Sequence, residues 1–167
     1  MEQWYLAIHK PGKGNAIKAQ LFLSNIGVDV FIPQICRFHH RVDRPGQYRK
    51  IIEPLFPGYL FICFDYEKQH INKVESCPGV SRLVRFGGQL KPLNEAVVDE
   101  IVTLATTVSH DGIVKSVYES KQSKIKDGEC HSNHVEEQRN RIKQIASDIS
   151  GENRSILFYA FLDTINA

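Results

Sequence analysis

The chain has 167 residues, of which 24% are charged and 42% hydrophobic, which fits a globular protein of one ordinary domain, or of a domain of about 100 residues with a small appendage. No run approaches the roughly 20 apolar residues of a membrane span, and the start, Met1-Glu2-Gln3-Trp4, lacks the pattern of a secretory signal, so a cytosolic protein without a membrane partner is expected. Net charge is only +2, but residues 1–50 hold eight Lys/Arg against three acidic residues, whereas residues 106–167 hold eight against nine; a polyanion partner is expected for the front alone, a solvated basic face being the alternative.

In chain order, Trp4–His9 reads as a short apolar strand closed by the turn Lys10-Pro11-Gly12-Lys13-Gly14. Asn15 is a candidate cap for a helix whose Ala16, Ala19, Leu23 and Ile26 fall on one side, with Gly27 as the stop. Val28–Phe38 reads as a second strand, followed by the basic excursion His39–Gly46 and a return through Ile51-Ile52, which is hairpin punctuation. Tyr59–Phe64 is a strand, Tyr66–Ser76 a polar helical segment broken by Pro78-Gly79, and Val80–Phe86 a further strand. Asn94 opens a helix with Val97, Val98, Ile101, Val102 and Ala105 on its stripe. The order predicts an α+β fold, a mainly antiparallel sheet with helices on one side, over residues 1–105. Residues 106–127, rich in Ser, Lys and Gly, read as a linker. In 128–167, Val135, Ile142, Ile145, Ala146 and Ile149 recur at helical spacing, and a Ser150–Asn153 turn leads to the apolar run Ile156–Leu162.

The strand Tyr59–Phe64 poses a question, because Tyr59/Phe61/Cys63 and Leu60/Ile62/Phe64 are apolar on both of its faces. A sheet with helices on one side leaves the other bare. A partner protein or the C-terminal apolar segment is expected to cover it, loops of the same domain being the alternative.

Cys36, Cys63, Cys77 and Cys130 stand apart without a Cys-x-x-Cys, so reduced thiols are expected. Cys130, His131 and His134 form the one metal-like cluster but lack a fourth ligand, and neither metal nor cofactor is expected. No nucleophile motif, carboxylate pair or phosphate-binding loop appears; Gly12-Lys13-Gly14 is too short for one, and a non-enzymatic protein is expected.

The strand Trp4-Tyr5-Leu6, the string Glu53-Pro-Leu-Phe-Pro-Gly-Tyr-Leu-Phe and the segment Pro78-Gly-Val-Ser-Arg-Leu-Val-Arg-Phe-Gly resemble the N-terminal domain of NusG-type transcription elongation factors, with closest likeness to the specialised RfaH-like branch. The resemblance implies an antitermination factor that binds the clamp helices of the RNA polymerase β′ subunit through Phe56, Pro57, Tyr59, Phe61 and Phe86. It places His70 and Asn72 at the β-subunit gate loop, and Lys10, Asn15 and Lys18 on the non-template DNA strand, the lysines on phosphates and Asn15 on a base edge. Phe22 and Pro78 depart from the branch's pattern; core packing is expected for Phe22, with stacking on an unpaired base as the alternative.

The family ends in a small β-barrel, the KOW domain, and Gly151-Glu-Asn-Arg-Ser-Ile-Leu157 resembles a string found there. Upstream, His134–Ile145 favours helix. A helical hairpin docked on the polymerase-binding patch is expected, a degenerate barrel being the alternative, with Glu53 pairing Arg154 across the domains and Ile156, Leu157, Phe158, Phe161 and Leu162 buried. Exchanging the two charges is expected to preserve that pair. A monomer is expected, with a small-subunit ribosomal protein as a possible further partner, and a stand-alone RNA-binding or ribosome-associated module as the competing function.

Overall fold

The computed structural model describes residues 1–108 and 133–166. In chain order the elements are β1 (Gln3–His9), α1 (Asn15–Asn25), β2 (Asp29–Phe31), β3 (Gln34–His40), β4 (Tyr48–Pro54), β5 (Tyr59–Phe64), α2 (Ile71–Glu75), β6 (Val80–Leu83), α3 (Glu95–Val108), α4 (Asn133–Ala146) and α5 (Gly151–Asn166). The fold is α+β, and every strand pair is antiparallel. Four strands form a sheet in the order β2-β5-β1-β6, while β3 and β4 pair separately as a two-stranded ribbon.

The expected strand Val28–Phe38 is two strands. Pro33 divides it, having no N–H to give a ladder, and its carbonyl instead accepts from Leu55 N–H at 2.7 Å. The chain thereby leaves the main sheet after β2 and enters the ribbon at β3. The helix expected over Tyr66–Ser76 shrinks to α2, because the Asp65 carboxylate accepts from Glu67 N–H at 3.1 Å and shapes a turn there.

Apolar alternation along β1 and β5 builds two cores. Tyr5, Ala7, Leu60, Ile62 and Phe64 face Ala19 and Leu23 of α1 and Val74 of α2. Leu6 and Phe61 face the opposite way, into a cluster with Val97, Val98, Ile101 and Val102 of α3, Ile142 and Ile145 of α4, and Phe158 and Leu162 of α5. One face thus carries α1 and α2, and the second is closed by α3 together with the C-terminal helices. That arrangement answers why β5 is apolar on both sides.

Gly79 is required by close approach. Its φ is +91°, and a Cβ there would lie 2.6 Å from Ala19 N and Asn15 O, so only glycine lets the Pro78-Gly79 turn rest on the α1 backbone. Gly14, not Asn15, is the N-cap of α1. Asn15 is the first helical residue, and its Nδ2 donates to Pro11 O at 2.6 Å, tying the preceding turn to the helix. At α3 the cap works as the sequence suggests, Asn94 Oδ1 accepting from Ala96 N–H at 2.9 Å. That helix runs on to Val108, past the start of the expected linker, whose remaining residues 109–127 lie outside the described residues.

Candidate functional site

The site grows from a four-residue turn. Tyr59 N–H donates to Phe56 O at 3.2 Å, Pro57 occupies the second position and Gly58 the third with φ +93°, the arrangement a type II turn demands. This turn sets Phe56 beside Phe61, ring centroids 6.3 Å apart, on the second face of the sheet. Phe86 joins them from a short bridge to Gln89 beyond β6. Phe56, Pro57, Tyr59, Phe61 and Phe86 therefore form one apolar surface.

Helix α5 lies over that surface. The Phe158 ring stacks on Phe56 with centroids 4.1 Å apart and planes 9° from parallel, and tilts against Phe61 at 5.8 Å. Tyr159 lies 6.2 Å from Phe86. Burial pushes the Tyr59 phenol above its ordinary pKa, with Tyr159 adding to the rise and Arg82 opposing it. Ser155 Oγ donates to Pro57 O at 2.8 Å, and Gly151 sits so close to the same proline that a Cβ would be 2.8 Å from its Cγ.

Polar groups frame the contact at its edge. Arg154 is fully buried, and all five of its N–H groups are used. Nε donates to Leu55 O at 2.7 Å; Nη1 to Asp148 O at 2.9 Å and Ile149 O at 3.2 Å; Nη2 to Glu53 Oε1 at 2.8 Å and Pro54 O at 3.2 Å. Arg37 of β3 comes within 3.2 Å of the same Glu53 oxygen, and its Nη2 donates to the carbonyls of Ala146, at 3.3 Å, and Asp148, where α4 ends. Glu53 is thus shared by two arginines. On the far side of the hairpin, Lys143 of α4 approaches the buried Glu100 of α3 at 3.7 Å.

Several expected placements change. Leu157 is 40% exposed and Ile156 66%, because the buried residues of α5 are Arg154, Ser155, Phe158 and Leu162, and a helix that turns these inward turns 156 and 157 outward. Phe161 is partly buried against the core. Ile149 is exposed in the turn between α4 and α5. Phe22 does not pack in the core: it is 42% exposed, at the flank of the α1 side that buries Ala19 and Leu23.

Lys10 and Lys18 are exposed, and Asn15 is half-buried with its amide nitrogen engaged on Pro11. These three belong to the α1 side of the sheet, away from the aromatic surface. His70 is the N-cap residue of α2, without a side-chain cap bond, and both it and Asn72 are exposed. Cys130 and His131 lie outside the described residues; His134 is exposed at the start of α4, 3.3 Å from Gln138. Among the described residues no three His, Cys, Asp or Glu side chains gather as metal ligands would, and no helix is long and apolar enough to cross a membrane.

Residues 2–102, more than half of the chain, match the family model described as NusG, transcription termination factor. The chain belongs to the NusG family. Its N-terminal part is accordingly a transcription termination and elongation factor domain, in a family that is not enzymatic. Among solved structures it is similar to NusG of Thermotoga maritima, described in terms of its domain interaction, at 25% identity and a TM-score of 0.42, covering 77% of this chain and 66% of that one. The chain spans slightly less than two thirds of the Thermotoga protein.

Sequence reasoning missed Arg37, Ser155, Tyr159 and Gly151. For Gly151 and Ser155 a signal existed, since both stand in the string that supplied Arg154. For Arg37 there was none, because nothing in its own segment points to a helix more than a hundred residues away.

Proposed function

We propose that this NusG-family chain is a specialised RfaH-like elongation factor that suppresses pausing and termination, and that its C-terminal hairpin (α4 and α5) masks the surface with which it holds RNA polymerase. In this reading Phe56, Pro57, Tyr59, Phe61 and Phe86 receive the β′ clamp helices, His70 and Asn72 face the β gate loop, and Lys10, Asn15 and Lys18 contact the non-template DNA strand. Residues 1–105 act as the polymerase-binding unit and 128–167 as the mask. The observation that carries the proposal is that one helix, α5, covers all five residues of the aromatic surface at once. An aromatic patch closed by a detachable element of the same chain suits an interface that is opened on demand. Lysines on the other side of the sheet leave DNA and polymerase free to bind together.

The test is binding of the full chain to purified RNA polymerase in an elongation complex. The natural chain is expected to bind only when the complex carries a suitable non-template element, and an Arg154→Glu chain without one. Adding Tyr59→Ala to the Arg154→Glu chain should weaken that binding by roughly tenfold or more, as loss of an interface aromatic does. Failure of the Arg154→Glu chain to bind, or indifference to Tyr59→Ala, overturns the reading.

A further inference from the structure

The ribbon of β3 and β4 presents a second surface that the mask leaves open. Register pairs Cys36 with Ile52, Phe38 with Lys50 and His40 with Tyr48, so these six side chains share one face. The alternate positions, Ile35, Arg37, Arg49, Ile51 and Glu53, share the opposite face, where Ile35 is buried and Arg37 and Glu53 hold the hairpin. On the outward face Phe38 is 69% exposed and Tyr48 59%, and the His40 and Tyr48 rings are already set against each other with centroids 4.4 Å apart.

A single exposed phenylalanine is ordinary on a protein surface. Three rings on one face of a two-stranded ribbon, bordered by cations, are less so. Between Phe38 and Ile52 the chain carries four Lys/Arg against one Asp. Asp43 is taken up by Arg41 at 2.6 Å, and Arg44 and, on the ring face, Lys50 are exposed. A recess of about 640 Å³ at the ribbon's tip, lined by Arg41, Asp43, Arg49 and Ile51 among others, meets the ring face at His40. The charge selects a polyanion, and flat rings open to solvent select one whose bases are unpaired, because a base inside a duplex offers no free face.

We infer that the outward face of the β3–β4 ribbon binds single-stranded RNA, with bases stacking on Phe38 and on the His40–Tyr48 pair and phosphates on Arg44 at the tip and Lys50 on the same face. The surface itself follows from the ribbon alone. The choice of RNA rests on the proposed function, which assigns the displaced DNA strand to the Lys10 side of the molecule and leaves the transcript as the other single strand beside polymerase.

The experiment is a fluorescence titration of the full chain, without polymerase, into a labelled mixed-sequence 12-nucleotide RNA and a DNA of the same sequence. Phe38→Ala and Tyr48→Ala are each expected to weaken RNA binding roughly tenfold. Arg44→Ala with Lys50→Ala should reduce the slope of log affinity against log salt by about 1.4. Melting temperatures should stay the same in all of these, since the replaced side chains are exposed. RNA affinity unaffected by the ribbon substitutions, or no RNA binding at all, overturns the inference. DNA binding equal to RNA binding and equally sensitive to Phe38→Ala overturns the choice of RNA. Loss of polymerase binding in Phe38→Ala with RNA affinity intact would instead make the ribbon a protein contact and also overturn it. Because polymerase is absent from the titration, failure of the polymerase reading leaves this result standing.

Discussion

Exchanging the charges of Glu53 and Arg154 should not restore the docked hairpin, although a simple ion pair would tolerate the swap. The reason lies in what surrounds each partner. Arg154 is buried among four carbonyl oxygens, those of Leu55, Pro54, Asp148 and Ile149, all of which accept from it. A carboxylate at that position has nothing to donate and meets four acceptors. Glu53 in turn lies 3.2 Å from Arg37, so an arginine there would face a like charge. Breaking a buried pair on one side costs about 3–5 kcal/mol, which shifts the docking equilibrium by about a hundred- to several thousand-fold. Arg154→Glu alone is therefore expected to release α5. The double variant, Glu53→Arg with Arg154→Glu, should stay released, because neither the carbonyl ring nor Arg37 is relieved by the second change. Amide hydrogen exchange over Gly151–Asn166 reads the outcome directly, with protection lost in both variants. If the double variant regains the protection of the natural chain, the pair acts as an isolated ion pair and the role given to Arg37 and the carbonyls is wrong.

Two further predictions concern the same contact. Phe158→Ala removes a fully buried ring stacked on Phe56 and should cost docking about 3–5 kcal/mol; the same exchange measurement checks it, and unchanged α5 protection would show that other contacts hold the hairpin. Gly151→Ala raises the helix propensity of α5 by up to about 1 kcal/mol, yet should weaken docking, because the new Cβ would meet Pro57 Cγ at 2.8 Å; increased protection of α5 would mean that the proline ring yields.

Much of the fold was legible because apolar periodicity and punctuation agreed. The stripe of α3 reads directly from Val97, Val98, Ile101, Val102 and Ala105, all of them buried. Pro33 was present in the sequence but was passed over inside an apolar run, and its missing N–H is what separates sheet from ribbon. Along α5 the helix was expected but its phase was not legible. Ile156–Leu162 is apolar at every position, so no stripe stands out, and the sequence could not rank Leu157 against Phe158. What sets the phase is Arg154, whose five donors find their acceptors only with Phe158 turned onto Phe56. Phe22 failed for the converse reason. Its α1 has a buried side made mostly of small residues, Ala16, Ala19 and Leu23, and the large Ile17, Leu21 and Phe22 are left on the outside.

On the proposed function, the clasp also lets a masked surface remain easy to open. When α5 leaves, the carbonyls of Leu55 and Pro54 exchange Arg154 for water and the guanidinium regains its hydration, so the cost of burying that charge offsets most of what its hydrogen bonds contribute when docked. Glu53 is not stranded, since Arg37 sits on its own strand ladder and stays within reach of the same oxygen. The polar groups therefore define where α5 docks without contributing much to how tightly. Tightness falls to Phe158, Leu162, Ile142 and Ile145, each contributing about 1.5–3 kcal/mol by burial, against the ordering of two helices. On the proposed function, a polymerase helix pair that offers apolar side chains to Phe56 and Phe61 replaces these four like for like. Competition for the same rings then needs no separate trigger at the ion cluster, and the cluster's part is to ensure that, without a competitor, the hairpin returns to one register.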